Sequence, residues 1–153
     1  MHNSIFALAL DHDLSYSVDE FGDEILLKNN EEQVMMEWEK PYMESCIDEL
    51  KPSGNVLEIG FGCGYSASHI QSYGPKSHTI VECHPKVISR AKEWKDFLDL
   101  HSPKDRNIKI VEGTWQENLE NLGKFDELFF DDFGLSVSGD KYIGKYETYM
   151  TNI

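Results

Sequence analysis

The stretch Asn55-Val56-Leu57-Glu58-Ile59-Gly60-Phe61-Gly62-Cys63-Gly64 decides the fold. A short β-prone run, Asn55 to Ile59, passes directly into glycines at every second position. A brief apolar run closed by glycine reads as a buried strand. Glycine at these places lets the chain turn sharply and lets a ligand come close to the backbone. Residues 65–73 then read as a helix that stops at Gly74-Pro75. Strand, glycine turn and helix together open a parallel βαβ unit.

Working outward, the unit repeats. His78-Thr79-Ile80-Val81, ending in Glu82, predicts a second strand. Pro85 suits the first position of a new helix, whose apolar face is Val87, Ile88, Ala91, Trp94, Phe97 and Leu98. Ile108-Lys109-Ile110-Val111 predicts a third strand, and Trp115, Leu119 and Leu122 fall on one face of a short helix ending at Gly123. Leu128-Phe129-Phe130 predicts a fourth strand, running into Asp131-Asp132. Residues 142–153 read weakly as the start of a further helix. Upstream, Met35, Trp38, Tyr42, Cys46 and Leu50 recur at helical spacing, interrupted by Pro41, which predicts a kinked helix or two short ones over 31–50. Residues 1–30 read as irregular, and acidic from Asp11 to Glu24. Strands alternating with helices mean a doubly wound α/β domain, a parallel sheet with helices on both faces. Sheets of this kind usually carry about six strands. The expectation is therefore one domain over 1–153, truncated after its fourth strand, with an edge left for its own tail or a partner to cover.

Composition bounds the rest. A chain of 153 residues allows one domain, and 14 Lys and Arg against 28 Asp and Glu give a net charge of −14. That balance argues against a nucleic-acid or anionic-membrane partner, both of which need basic surface. Hydrophobic residues at 40% are enough for a core. No apolar run approaches the ~20 residues of a membrane span, and the start reads as no secretory signal. Cys46, Cys63 and Cys83 are odd in number and far apart, which predicts free thiols and, by elimination, the cytoplasm. His2, His12, His69, His78, His84 and His101 show no metal-ligand spacing. No metal is expected.

Five places carry chemistry. The glycine turn is not a G-x-G-x-x-G dinucleotide loop, because the last place falls on Tyr65 counting from Gly60 and on Ala67 counting from Gly62. With Glu58 two residues before the first glycine, it suits a ligand bearing an ammonium group and no pyrophosphate, such as S-adenosyl-L-methionine. Glu82, 22 positions after Gly60, stands where nucleoside-binding sheets place a carboxylate on ribose hydroxyls; alone it does not separate NAD from S-adenosylmethionine. Trp115, in Gly113-Thr114-Trp115, can stack on adenine or belong to the core of the next helix, and the residue by itself favours the core. Asp131-Asp132 at the same rim suits a cationic substrate, a metal, a proton in transfer, or a solvated turn. The Met-rich run Met35 to Met43 reads as core with an exposed face.

Taken together, VMMEWEKPYM (34–43), LEIGFGCGYSAS (57–68), VECHP (81–85), EGTWQE (112–117) and FDELFFDDF (125–133) resemble guanidinoacetate N-methyltransferase and the related type 2 arginine N-methyltransferases in order and spacing. The resemblance implies a Rossmann-like class I methyltransferase fold, S-adenosyl-L-methionine as methyl donor and a small-molecule guanidino acceptor, most simply guanidinoacetate going to creatine. It also admits protein arginine as acceptor, a truncated non-catalytic donor-binding module, and a homodimer. By resemblance the donor site falls on Met35, Met43, Gly60, Gly62, Cys63, Gly64, Tyr65, Ser66, Ala67, Glu82, Cys83, His84, Thr114, Trp115 and Asp131. The family's aromatic that closes this site would fall to Tyr16 or Phe21, and its substrate-carboxylate loop beyond residue 153. Glu39 and Asp131 would hold the guanidinium. A guanidinium is permanently protonated and a poor nucleophile, so two carboxylates must offset its charge and one must accept a proton. Asp131 takes the base role and Glu39 orients.

Overall fold

The structure, a computed structural model, describes residues 13–30, 32–35, 39–102 and 105–131. Asp132, Met36, Glu37, Trp38, His2, His12 and the helix expected over 142–153 lie outside the described residues.

Two sheets are present among the described residues. The first departs from expectation. Residues 14–30 are not irregular: β1 (Leu14–Val18) and β2 (Glu24–Lys28) form an antiparallel hairpin, and β3 (Glu32–Met35) pairs with β2. The alternation Leu14-Ser15-Tyr16-Ser17-Val18 is the strand signal, since successive side chains point to opposite faces. The first turn is closed by the Asp19 carboxylate, which accepts the amides of Phe21 and Asp23 at 2.9 Å each. Asn29 and Asn30 both take left-handed φ, 51° and 63°. Asn tolerates that region better than other non-glycine residues, which suits the second turn.

The helix expected over 31–50 is thus two elements, β3 and α1 (Glu39–Leu50). Pro41 lies in the first turn of α1, where its missing N–H removes no intrahelical bond, so it starts the helix instead of kinking it. The buried face of α1 is Met43 and Ile47; Tyr42 is exposed.

The second sheet matches its predicted strands: β4 (Asn55–Ile59), β5 (Ser77–Glu82), β6 (Ile108–Glu112) and β7 (Glu127–Phe130). They are linked by α2 (Tyr65–Ser72), α3 (Pro85–His101) and α4 (Trp115–Leu122). All pairings are parallel, in the order β6-β5-β4-β7. Chain order reverses at β4, and ligands of such sheets bind outside the strand C-termini at that reversal. On one face Val56 meets Ile47 of α1 and Ile70 of α2, while Ile80 packs in a larger cluster with Val87 and Ala91 of α3. On the other, Leu57, Ile59 and Val81 meet Trp115 and Leu122 of α4. Helices therefore cover both faces. Phe97 and Leu119, expected on the apolar faces, are exposed; the buried stripe of α3 is narrowed to Val87, Ile88 and Ala91, and α4 has no fully buried residue. The first sheet joins the core through Leu14, Leu26 and Met35, which pack with Met43, Phe61 and Ala67. That contact brings the hairpin to the glycine turn.

Candidate active site

The rim at the strand C-termini is assembled from four loops. Gly60 follows β4 and donates to the Val81 carbonyl at 2.9 Å; Asp131 follows β7 and donates its amide to Ile59 at 3.0 Å. Gly113 follows β6 and donates to Glu82 at 2.9 Å. The glycine turn, the end of β5, the start of α4 and Asp131 are therefore held side by side by backbone bonds that continue the sheet.

The glycine turn is packed as well as bent. Gly64, the residue capping α2, has φ 80°, and a Cβ there would lie 2.7 Å from Phe61 Cζ. It brings no side chain to the cap, so Gly64 offers the first amides of α2 no side-chain acceptor. At Gly62 a Cβ would lie 2.5 Å from Met35 Cε. Met35 lies over the turn, its Sδ accepting the Cys63 amide at 3.2 Å. Met43 is buried in the same cluster. Tyr16 comes from β1 and donates its hydroxyl to the Gly62 carbonyl at 2.7 Å. Burial, with the nearby Cys63 and Glu82, pushes its phenol well above the ordinary range. Phe21 is 76% exposed in the hairpin turn, so of the two aromatics only Tyr16 touches the glycine turn. Burial also pushes the Cys63 thiol up to about 12 and the Tyr65 phenol up to about 12.

Glu82 knits the second loop to the first. Its Oε2 accepts from Phe61 N at 2.9 Å, and its Oε1 from Cys83 N at 2.9 Å and His84 N at 3.0 Å. These three bonds use most of the roughly four acceptor positions of a carboxylate. His84 is buried and caps α3, its Nδ1 accepting from Lys86 N at 3.3 Å. Glu58 does not open onto the rim. It is fully buried on β4, with Oε1 3.7 Å from Nε2 of the equally buried His78.

Thr114 is engaged in a capping box with Glu117, each side chain bonding the other's amide at 3.2 Å. Trp115 packs edge-to-face on Phe130, with centroids 5.7 Å apart, against the Leu57–Ile59–Val81 cluster. This is the core placement that the residue alone favours.

The two candidate acids come from different elements. Glu39 is the first residue of α1, half-buried, where the helix dipole favours a carboxylate. Its charge is among those that raise the Cys63 thiol in the glycine turn. Asp131 is half-buried at the end of β7. Tyr42 has its phenol raised by a hydrogen bond to Cys46, by the charge on that thiol, by burial and by Asp131. Tyr42 lies three positions after Glu39, on the same side of the helix. The charges of Glu39 and Asp131 are thus felt at Cys63 and Tyr42 respectively. Among the described residues no cluster of His, Cys, Asp and Glu could hold a metal ion, and no helix is long and apolar enough to cross a membrane.

Two residues that contact the tyrosines around the glycine turn, Glu24 and Arg90, have no signal in the motif spacing. Glu24 pairs with Arg90 and accepts the Tyr65 hydroxyl on its carbonyl. The alternation over 14–18 is the signal from which this hairpin could have been placed.

Comparison with known proteins places the chain in a family and a fold. The family model described as guanidinoacetate N-methyltransferase matches residues 15–148. The chain is 36% identical over 126 residues to a protein arginine N-methyltransferase 2 of Saccharomyces cerevisiae, covering 78% of this chain and 29% of that protein. It is 35% identical over 134 residues to the one of Candida glabrata, covering 83% and 31%. The chain spans about a third of the length of these curated relatives. Among solved structures, spermidine synthase of Thermotoga maritima superposes with a TM-score of 0.60 at 16% identity, over 82% of this chain and 45% of that one. The C-terminal domain of a precorrin-6Y C5,15-methyltransferase from Rhodobacter capsulatus gives 0.50 at 20%, over 72% and 55%. These two likenesses show the fold, the Rossmann-like α/β sheet expected from the sequence. The rim is compatible with the S-adenosyl-L-methionine cofactor, with a cap at α2 that carries no side chain and a carboxylate, Glu82, at the end of β5. With a family match running over 15–148, the chain belongs to the guanidinoacetate N-methyltransferase family.

Proposed function

We propose that this chain carries the donor site and the two acids of an S-adenosyl-L-methionine-dependent N-methyltransferase acting on a guanidino nitrogen. One observation carries the reading. Asp131 is bonded through its amide to Ile59 at the end of β4, beside a glycine turn whose helix has no side-chain cap, and the charge of Glu39, the first residue of α1, acts on Cys63 within that turn. A donor in that turn would present its sulfonium methyl, the electrophile, to the space between the acids. Met35 and Tyr16 hold the turn in shape, and Glu82 fixes its far end. Glu39 and Asp131 would clamp the flat guanidinium by paired charge-assisted bonds, offsetting the repulsion between two cations. Asp131 would take the proton that the guanidino nitrogen loses as its bond to carbon forms. Alignment of the nitrogen with the methyl supplies the rest.

Guanidinoacetate is the first acceptor, on the description of the matching family. Protein arginine is the second reading, and the names of the curated relatives favour it. Both acceptors present the same planar cation, so the acids serve either. A tritiated-methyl transfer assay against guanidinoacetate, free arginine and an arginine-containing peptide separates them. Transfer to none of the three, by a chain that binds the donor, would refute the catalytic reading.

A further inference from the structure

Arg90 lies on α3 outside the rim, yet two elements of the first sheet converge on it. Its guanidinium pairs with the Glu24 carboxylate at the start of β2. Its Cζ lies 5.3 Å from the centre of the Tyr16 ring on β1. A more exposed acid, Glu93, stands 3.6 Å from the other end of the guanidinium. Glu24 is itself tied to α2, its carbonyl accepting the Tyr65 hydroxyl. Tyr16, under the Arg90 cation, is the residue that bonds the Gly62 carbonyl at 2.7 Å. The path from α3 to the glycine turn therefore runs Arg90, Tyr16, Gly62, with Glu24 bracing the first step.

We propose that Arg90 is a positioning residue for the donor site: it latches the hairpin onto α3 so that the Tyr16 hydroxyl stays on the Gly62 carbonyl and the turn keeps its ligand-ready shape. This rests on the donor-site reading above. The contact chemistry supports a local role over a global one. Arg90 and Glu24 are 42% and 31% exposed, and a part-exposed ion pair by itself adds little to global stability. A cation over an aromatic face gains from the ring quadrupole and restricts the ring's plane, and with it the direction of the hydroxyl. Removing the guanidinium leaves the fold its core and frees the tyrosine.

A double-mutant cycle on the full chain tests this. Arg90→Ala, Tyr16→Phe and the double variant are compared for binding of S-adenosylhomocysteine, the demethylated donor, by calorimetry. Loss of one hydrogen bond of ordinary strength predicts about fivefold weaker binding for each single variant. Since both act through one bond, the double variant binds no more weakly than the weaker single. Losses that multiply would overturn the latch, because independent sites add. Hydrogen exchange on the ligand-free protein is a second, separate measurement. Arg90→Ala should speed exchange in residues 14–18 and 60–64 and leave β5 unchanged. Unchanged exchange at 60–64 overturns the latch whatever the ligand does. If the unaltered protein fails to bind S-adenosylhomocysteine, the donor-site reading falls, and the exchange data still decide the role of Arg90.

Discussion

Glu82 accepts the Phe61 amide at 2.9 Å, joining the end of β5 to the turn that follows β4. The same carboxylate takes two amides of its own loop, from Cys83 and His84. Glu82 is therefore as much a brace as a candidate ligand. Glu82→Ala should lower stability by about 2–3 kcal/mol, the range for losing bonds to a charged acceptor, read as a shift in the urea midpoint. Glu82→Gln keeps one oxygen for the Phe61 amide and should recover much of that stability. If it also recovers donor binding in full, the charge on Glu82 has no part in holding the ligand sugar.

Gly64 and Phe61 interlock at the cap of α2. Gly64→Ala should cost about 1–3 kcal/mol, the usual penalty for forcing a side chain into a sparsely populated backbone region. Part of that cost is steric, since the new methyl meets Phe61 Cζ at 2.7 Å. Phe61→Leu removes that carbon. The combined variant should therefore be less destabilised than the two single losses added together, by chemical denaturation. Strict additivity would show that backbone conformation alone is at stake.

The parallel sheet was legible because β4 through β7 are short, apolar and closed by turn residues, a pattern that local chemistry dictates. The glycine turn and Glu82 were legible for the same reason, since only glycine and a strand-end acid fit those places. The hairpin was not. Leu14 to Val18 alternates, but its apolar members are few, and an acidic neighbourhood resembles a solvated segment. Met35 fits a helical period by chance of spacing, and its pairing with Leu26 puts it on a strand. The Arg90–Glu24 pair joins residues 66 positions apart, and no local pattern announces such a contact. Trp115 was legible as core but not as anything more, because a helix start at a sheet rim serves packing and ligand equally well.

Cys63 is at the centre of the glycine turn and should be inert. Burial raises its thiol from an ordinary 9.0 to about 12. The folded protein therefore favours the protonated form, and this contribution to stability is whole below pH 9 and lost as pH climbs toward 12. At pH 8 the thiolate fraction is on the order of one in ten thousand, and the thiolate is the nucleophile. Iodoacetamide at pH 8 should leave Cys63 unmodified in the native protein and modify it in urea, by peptide mass mapping. Rapid native labelling would mean that the turn is open to solvent.

Asp131 and Glu39 are given different work, and their variants should differ in kind. Asp131→Asn keeps the shape and one acceptor oxygen but cannot take a proton. Methyl transfer should fall by about 10²–10⁴, the usual worth of a general base, a far larger loss than that of donor binding. Glu39→Gln loses charge where orientation is needed. It should raise the acceptor KM more than it lowers kcat, because a clamp that acts on bound and reacting cation alike is uniform binding. The acceptor is a fixed cation, so raising pH cannot stand in for the missing base. If Asp131→Asn retained turnover while Glu39→Gln abolished it with KM unchanged, the proton would leave toward α1, and the roles of the two acids would have to be exchanged.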